Sequence, residues 1–235
     1  MTVLLKLESQ LKMGESQQLK ELRSRHYLQN LIEEGEHVHQ DFKFQISDAR
    51  KIARSISAFA NNEGGHLLVG VKDNGKIAGI SSEEEIYMVE QAAEMYCRPS
   101  QQVKCTVYRV EGKDVLKVDI QKSETPPVMA QDDAKHWRAY YRVADENVLA
   151  SALHVKIWRR SGCETPTSFA MTESERTLIA YIDANGSITL HEYMKLAHIT
   201  KATAEESVVN LCATGVLKLK YNNGQCLITS SQCEP

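Results

Sequence analysis

Nowhere in these 235 residues is there an apolar run near the roughly 20 residues that a membrane-spanning helix needs. The N-terminal segment alternates apolar with charged residues where a secretion signal would hold an unbroken apolar core. Both absences point to a cytoplasmic protein with no membrane partner. The six cysteines include no C-x-x-C pair, which removes zinc ribbons and a disulfide framework. Cys97, Cys105, Cys163, Cys212 and Cys226 read as reduced packing residues and Cys233 as an exposed one. An excess of positive charge is missing too: the net charge is −3. Nucleic-acid affinity is drawn from cationic contacts to phosphate, so any such surface here has to be a local patch. Acids and bases balance over residues 36–160 while 161–235 is acid-rich, which assigns that patch to the first part of the chain. There is also no G-x-x-x-x-G-K-[ST] loop. Gly75-Lys76 is followed by Ile77 and Gly64-Gly65 by His66, so the chain lacks the lysine and hydroxyl that grip a nucleotide, which argues against ATP hydrolysis.

What is present is an ordinary globular composition, 42% apolar and 25% charged, patterned as an α+β chain. Leu4, Leu7, Leu11, Leu19 and Leu22 fall at helical spacing and predict an amphipathic arm over residues 1–27, packing on its own domain or on a second copy. A helix through Leu31 and Ile32 is stopped at Gly35. Ser47-Asp48 offers an N-cap to "ARKIARSISAFA", with Ile52, Ile56 and Phe59 on one face. "HLLVGV" and "KIAGI" read as a hairpin about Asp73-Asn74-Gly75, and "VKCTVYRVEGKDVLKVDI" as a second about Glu111-Gly112-Lys113. Between the second helix and its strand, Asn61, Asn62 and Gly64 read as a left-handed helix stop. A helix over about Ser82–Tyr96 and a strand "WRAYYRV" running toward a helix near Ala152 complete this part.

The aperiodic "RRSGCETPTSFA" marks a linker at 161–170, separating a domain at 28–160 from one at 171–235. In the latter, Thr172 and Glu175 form a capping box, and the order helix, strand, helix, helix, hairpin is that of a winged helix-turn-helix. Its recognition helix would carry Lys201 but also Glu205 and Glu206, which repel phosphate, so contact with protein or with a second copy is at least as well supported as groove reading.

The blocks "GEHVHQDFKF", "KIARSISAFANNEGGHLLVGVKDNGKIAGI", "TPPVM" and "AYYRVADENVLAS" occur in one order over about residues 28–155, and together they resemble the Schlafen AlbA-like domain. The resemblance implies a mixed-sheet domain found in bacterial DNA-binding and transcriptional regulators, with the winged helix as a common companion. It implies a carboxylate triad in the nuclease-active members, matched here by Glu36, Asp41 and Asp73, where the family's second acid is usually glutamate. Such a triad takes Mg²⁺ or Mn²⁺, and Lys43, on the same strand face as Asp41, would stabilise the transition-state charge of RNA cleavage. It also implies a homodimer, because Schlafen cores join two such lobes and this chain holds one. The bland reading of Asp73 is the first residue of an Asp-Asn-Gly turn, and of Glu36 a solvated carboxylate after a helix end. His37, His39 and Asp41 share a face but lack a fourth ligand for zinc.

For DNA or RNA contact the cationic candidates are Arg50, Lys51 and Arg54 on a helix, and Lys135, Arg138 and Arg142 interleaved with Trp137, Tyr140 and Tyr141.

Overall fold

The computed structural model describes residues 22–161, 171–222 and 224–232, so most of the N-terminal arm and nearly all of the linker lie outside the described residues. The chain divides into two compact units, one built from residues up to 123 together with 128–148, the other from 124–127 together with 149 onward.

In the first unit, helix α1 (residues 22–34) ends where Gly35 adopts φ +73 and its N–H donates to the Ile32 carbonyl at 3.1 Å. Strand β1 (Gln40–Lys43) follows, then α2 (Ala49–Ala60), whose N-cap is Asp48: its carboxylate accepts from the Arg50 N–H at 2.9 Å. Then come β2 (Gly65–Val69), α3 (Glu84–Met95), β3 (Cys97–Arg98), β4 (Val103–Val110), β5 (Lys113–Ile120), β6 (Met129–Gln131), β7 (Trp137–Val143) and β8 (Glu146–Leu149). The strands form two four-stranded sheets, β1-β2-β5-β4 and β3-β6-β7-β8. The first sheet is mixed: β1 runs parallel to β2, and β2 and β4 run antiparallel to β5.

Alternation along β1 and β2 sorts two cores. Leu67 and Val69 face α2 in one cluster, with Ile52, Ile56, Phe59, Val118 and Val89, while Phe42 and Leu68 face α1 in the other, with Leu28, Leu31 and Val115. Helix α2 is almost wholly enclosed, since it carries the first sheet on one side and β6 and β7 on another. Leaving it, the chain turns through Gly64 (φ +77). At Gly65 a Cβ would stand 2.5 Å from the His39 carbonyl oxygen and from the Phe59 ring, so only glycine admits β2 at this depth.

Two local expectations are corrected. "KIAGI" is not the partner strand of β2, because β2 is already bonded on both edges, by β1 and β5; only the bridge Val71–Ile77 forms. The segment instead folds back on Gly70, whose carbonyl accepts from Ala78 and Gly79 at 2.8 and 2.9 Å. Asn61 is right-handed (φ −80), and the left-handed stop falls on Gly64 alone.

The second unit comprises α4 (Ala152–Ser161), α5 (Glu173–Asn185), β9 (Ser187–Thr189), α6 (Leu190–Ala197), α7 (Lys201–Ala213), β10 (Leu217–Asn222) and β11 (Gln225–Ser230). Its sheet is antiparallel in the order β10-β11-β9, and from α5 onward the elements run helix, strand, helix, helix, hairpin. The expected capping box at Thr172/Glu175 is joined by a second at Thr189/Glu192. Leu178, Ile182, Tyr193, Val208, Leu211 and Ile228 fill the core, and Leu153 of α4 belongs to it. No helix among the described residues is long and apolar enough to cross a membrane.

Candidate nucleic-acid interface

The glycine- and asparagine-rich corner after α2 is a brace. Asn61 Nδ2 donates to the Val128 and Tyr140 carbonyls, both at 2.9 Å, while its Oδ1 accepts from the Val128 N–H at 2.7 Å. Ser57 Oγ donates to the Val128 carbonyl at 2.8 Å and accepts from the Tyr140 N–H at 3.1 Å. Asn62 exchanges two bonds with the Arg142 backbone, at 3.1 and 3.2 Å. Asparagine carries a donor and an acceptor on one short stem, so it mimics a strand edge. These residues thereby satisfy the inner backbone of β6–β7 and tie the second sheet to α2.

Arg142, one of the expected phosphate contacts, lies inside this brace and cannot reach a surface ligand: it is 3% exposed. One guanidinium nitrogen donates to the His37 and Gln40 carbonyls at 2.9 and 3.3 Å, and the other to Asn147 Oδ1 at 3.1 Å. The group stands 4.8 Å from the centroid of the Phe59 ring. It is a clamp on the turn between α1 and β1. Burial pushes its pKa down, and the Asp41 and Glu36 carboxyls oppose that.

Glu36 and Asp41 stand side by side at the edge of β1. Glu36 Oε1 accepts from the Phe42 N–H at 2.8 Å, and burial and the adjoining Asp41 carboxyl raise its pKa. Asp41 is buried. Its Oδ2 is 2.7 Å from Lys43 Nζ and 3.8 Å from Arg142 Nη1, yet it accepts no aligned hydrogen bond; Lys43 also donates to the Phe42 carbonyl at 2.9 Å. Asp73 sits apart, exposed in the turn closed by Gly75 N–H to the Lys72 carbonyl at 2.8 Å. A Cβ on Gly75 would meet Ile32 of α1, on the sheet face opposite to the one Asp41 takes. Among the described residues no three His, Cys, Asp or Glu side chains are grouped to hold a metal ion. Two of the three matched acids are together and are faced by two cations, Lys43 and Arg142, while Asp73 stands apart from them.

The remaining cations form a belt around the β6–β7 hairpin. Arg54 of α2 pairs with Asp133 at 2.8 Å, and Arg138 with Asp132 at 2.8 Å, which lowers the Asp132 pKa. Lys135 is exposed at the hairpin tip with φ +63. Arg50 lies over the Tyr96 ring at 4.8 Å, and Arg98 over the Trp137 ring at 4.0 Å. Lys51 is exposed on α2, about 100° around the helix from Arg50. Arg98 and Tyr96 do not stand out in the sequence, where they sit between a helix end and Pro99. The signal that finds them is the pairing of β3 with β6 in register, Arg98 opposite Met129, which brings Arg98 diagonal to Trp137.

In the second unit, Glu205 of α7 is held by Lys156 of α4 and lies 3.7 Å from Lys201. Glu206 is exposed. α4 and α7 bound a groove of about 520 Å³, with Arg160 on one wall and Glu206 on the other.

No curated protein matches the chain. Thirteen chains of solved structures are similar to it, two of them as follows. The DIP2311 protein from Corynebacterium diphtheriae is 19% identical with a TM-score of 0.42, covering 83% of this chain and 34% of its own, so this chain spans about a third of that protein. The N-terminal domain of a RecG-related, ATP-dependent DNA helicase-type protein from Nitrosomonas europaea is 17% identical with a TM-score of 0.40, covering 63% of this chain and 98% of its own. The family model for Schlafen, AlbA_2 matches residues 36–151, the stretch that runs from the Glu36–Asp41 edge through the asparagine brace to the hairpin belt and β8. Residues 36–151 of this chain are therefore a Schlafen, AlbA_2 domain.

Proposed function

We propose that this chain is a nucleic-acid-binding protein of DNA-binding, transcription-regulator type, contacting its ligand through the first unit. The observation that carries the reading is the belt of Arg50, Arg54, Arg98, Lys135 and Arg138 gathered by α2, β3 and the β6–β7 hairpin. It supplies the local cationic surface that the net charge of −3 denies to the molecule as a whole. The Schlafen, AlbA_2 domain at residues 36–151 supports it. The second unit, with Glu205 and Glu206 on α7, serves protein contact, and the chain works as a homodimer. In a gel shift with mixed DNA and RNA, Arg54→Ala combined with Arg138→Ala is expected to weaken binding at least tenfold. Binding unchanged in a folded double variant refutes the reading.

A second reading, a Mg²⁺- or Mn²⁺-dependent endoribonuclease, is favoured by the adjoining Glu36 and Asp41 carboxyls and the unsatisfied, buried Asp41 oxygen. It requires Asp73 to join them. Intact tRNA after incubation with Mn²⁺ and folded protein excludes it.

A further inference from the structure

The belt differs from a plain basic patch in that two of its guanidinium groups rest on aromatic rings. Arg98 and Trp137 share the outer face of the β3-β6-β7-β8 sheet: Cys97 and Ala130, one residue along from Arg98 and from Met129, point into the core, so Arg98 and Met129 point out. Met129 pairs with Ala139, and Trp137, two residues back, lies on the same face. Arg50 and Tyr96 form the second stack where α2 meets the end of α3, and the Tyr96 carbonyl accepts from the Gln131 N–H at 3.0 Å, fixing that junction to the hairpin.

A guanidinium seated on a ring is weakly hydrated and keeps its other planar face free for a nucleobase, while its N–H edge addresses a phosphate. Such a platform has value only where base faces are accessible, as they are in a single strand and are not in a duplex. The charge balance points the same way. Asp132 and Asp133 stand within the belt, paired with Arg138 and Arg54, which thins the positive field that two phosphate rails of a duplex would draw on. The belt has no helix presented for a major groove; its protruding element is the short turn at Lys135.

We propose that the belt selects single-stranded nucleic acid over duplex, with Arg98 on Trp137 as the principal stacking platform. This rests on the nucleic-acid-binding reading above and deepens it.

The chain has two tryptophans, so Trp158→Phe leaves Trp137 as the sole indole reporter. With that protein, fluorescence titrations use single-stranded DNA, single-stranded RNA and the matching duplex, each of about twelve nucleotides, within the span of single-strand site sizes. The expected result is Trp137 quenching and binding of either single strand at least tenfold tighter than the duplex. Arg98→Gln and Arg98→Lys should both lose about tenfold on single strands, since lysine restores the charge but not the plane, and change duplex affinity less than threefold. Thermal melts confirm that the variants are folded. Equal or tighter duplex binding, or full rescue by Arg98→Lys, overturns the inference and leaves the nucleic-acid reading standing; absence of binding to all three probes removes both.

Discussion

The side chains that matter most are polar groups inside the first unit, and their ionisation is set by what encloses them. His66 Nε2 lies 2.7 Å from Gln40 Oε1. Gln40 Nε2 donates to the Leu31 and Gly35 carbonyls at 2.5 and 2.7 Å, so Oε1 is the acceptor and His66 carries its proton on Nε2. Burial, and then Lys117, hold the His66 pKa down to about 4. A histidine depressed in the fold is neutral there, whereas the unfolded chain takes up a proton below its ordinary value of 6.5. Its stabilising contribution is therefore intact above pH 6.5 and lost as the pH falls from 6.5 toward 4. Glu36 has the opposite sign: with its pKa raised, its ionisation disfavours the fold as the pH climbs above the ordinary 4.5. Urea midpoints measured across this range should drop on the acid side, and His66→Gln should flatten the drop. His154 in the second unit, also held at about 4 by burial, contributes in the same direction, so the difference between the wild type and His66→Gln isolates the share of His66. An identical pH profile in the variant would contradict the assignment. None of this was legible in the sequence, because the environment of His66 comes from strands distant along the chain, and Arg142 reads as a surface cation because a lone arginine in an alternating strand gives no sign of a buried carbonyl cluster waiting for it.

At the scale of elements, much was readable. Gly35 stops α1, Asp48 caps α2, and Glu111-Gly112 turns the β4–β5 hairpin with φ values of +54 and +74, because each of those signals is local. The strand expected at Lys76–Ile80 was not realised, since whether a segment pairs depends on a free neighbouring edge, and β1, arriving from earlier in the chain, had taken it. Likewise the segment from Asn61 to Gly65 looks like a conformational device and is also a bonding one: Asn61, at the end of α2, carries the contact to β6 and β7. Asn61→Ala strips buried partners from Val128 and Tyr140, and at about 1–3 kcal/mol for each buried group left unsatisfied it should cost about 3 kcal/mol or more in chemical denaturation. Asn61→Asp keeps the acceptor but sets a carboxylate oxygen against the Val128 and Tyr140 carbonyls in a buried site, so it should cost at least as much as alanine. A loss below about 1 kcal/mol in the alanine variant, no more than one ordinary hydrogen bond is worth, would show that the second sheet is not held to α2 by this side chain.

For the molecule as a whole, a net charge of −3 and an acid-rich stretch from residue 161 onward would ordinarily count against nucleic acid. Folding resolves the conflict by segregation, since cations spread along the sequence from Arg50 to Arg138 converge on one hairpin. The spacing of the cations alone did not predict which would meet: Arg54 and Arg138 stand on the belt, while Arg142, on the same strand as Arg138, is sealed in the interior. The most direct test of the account is the salt dependence of binding to a mixed-sequence single strand. With about three to five phosphates engaged, log K against log salt should fall with a slope of about −2 to −3.5, and Arg98→Gln combined with Lys135→Gln should make it shallower by about 1.4. A slope near zero, or a wild-type slope in that double variant, would contradict the belt as the nucleic-acid surface.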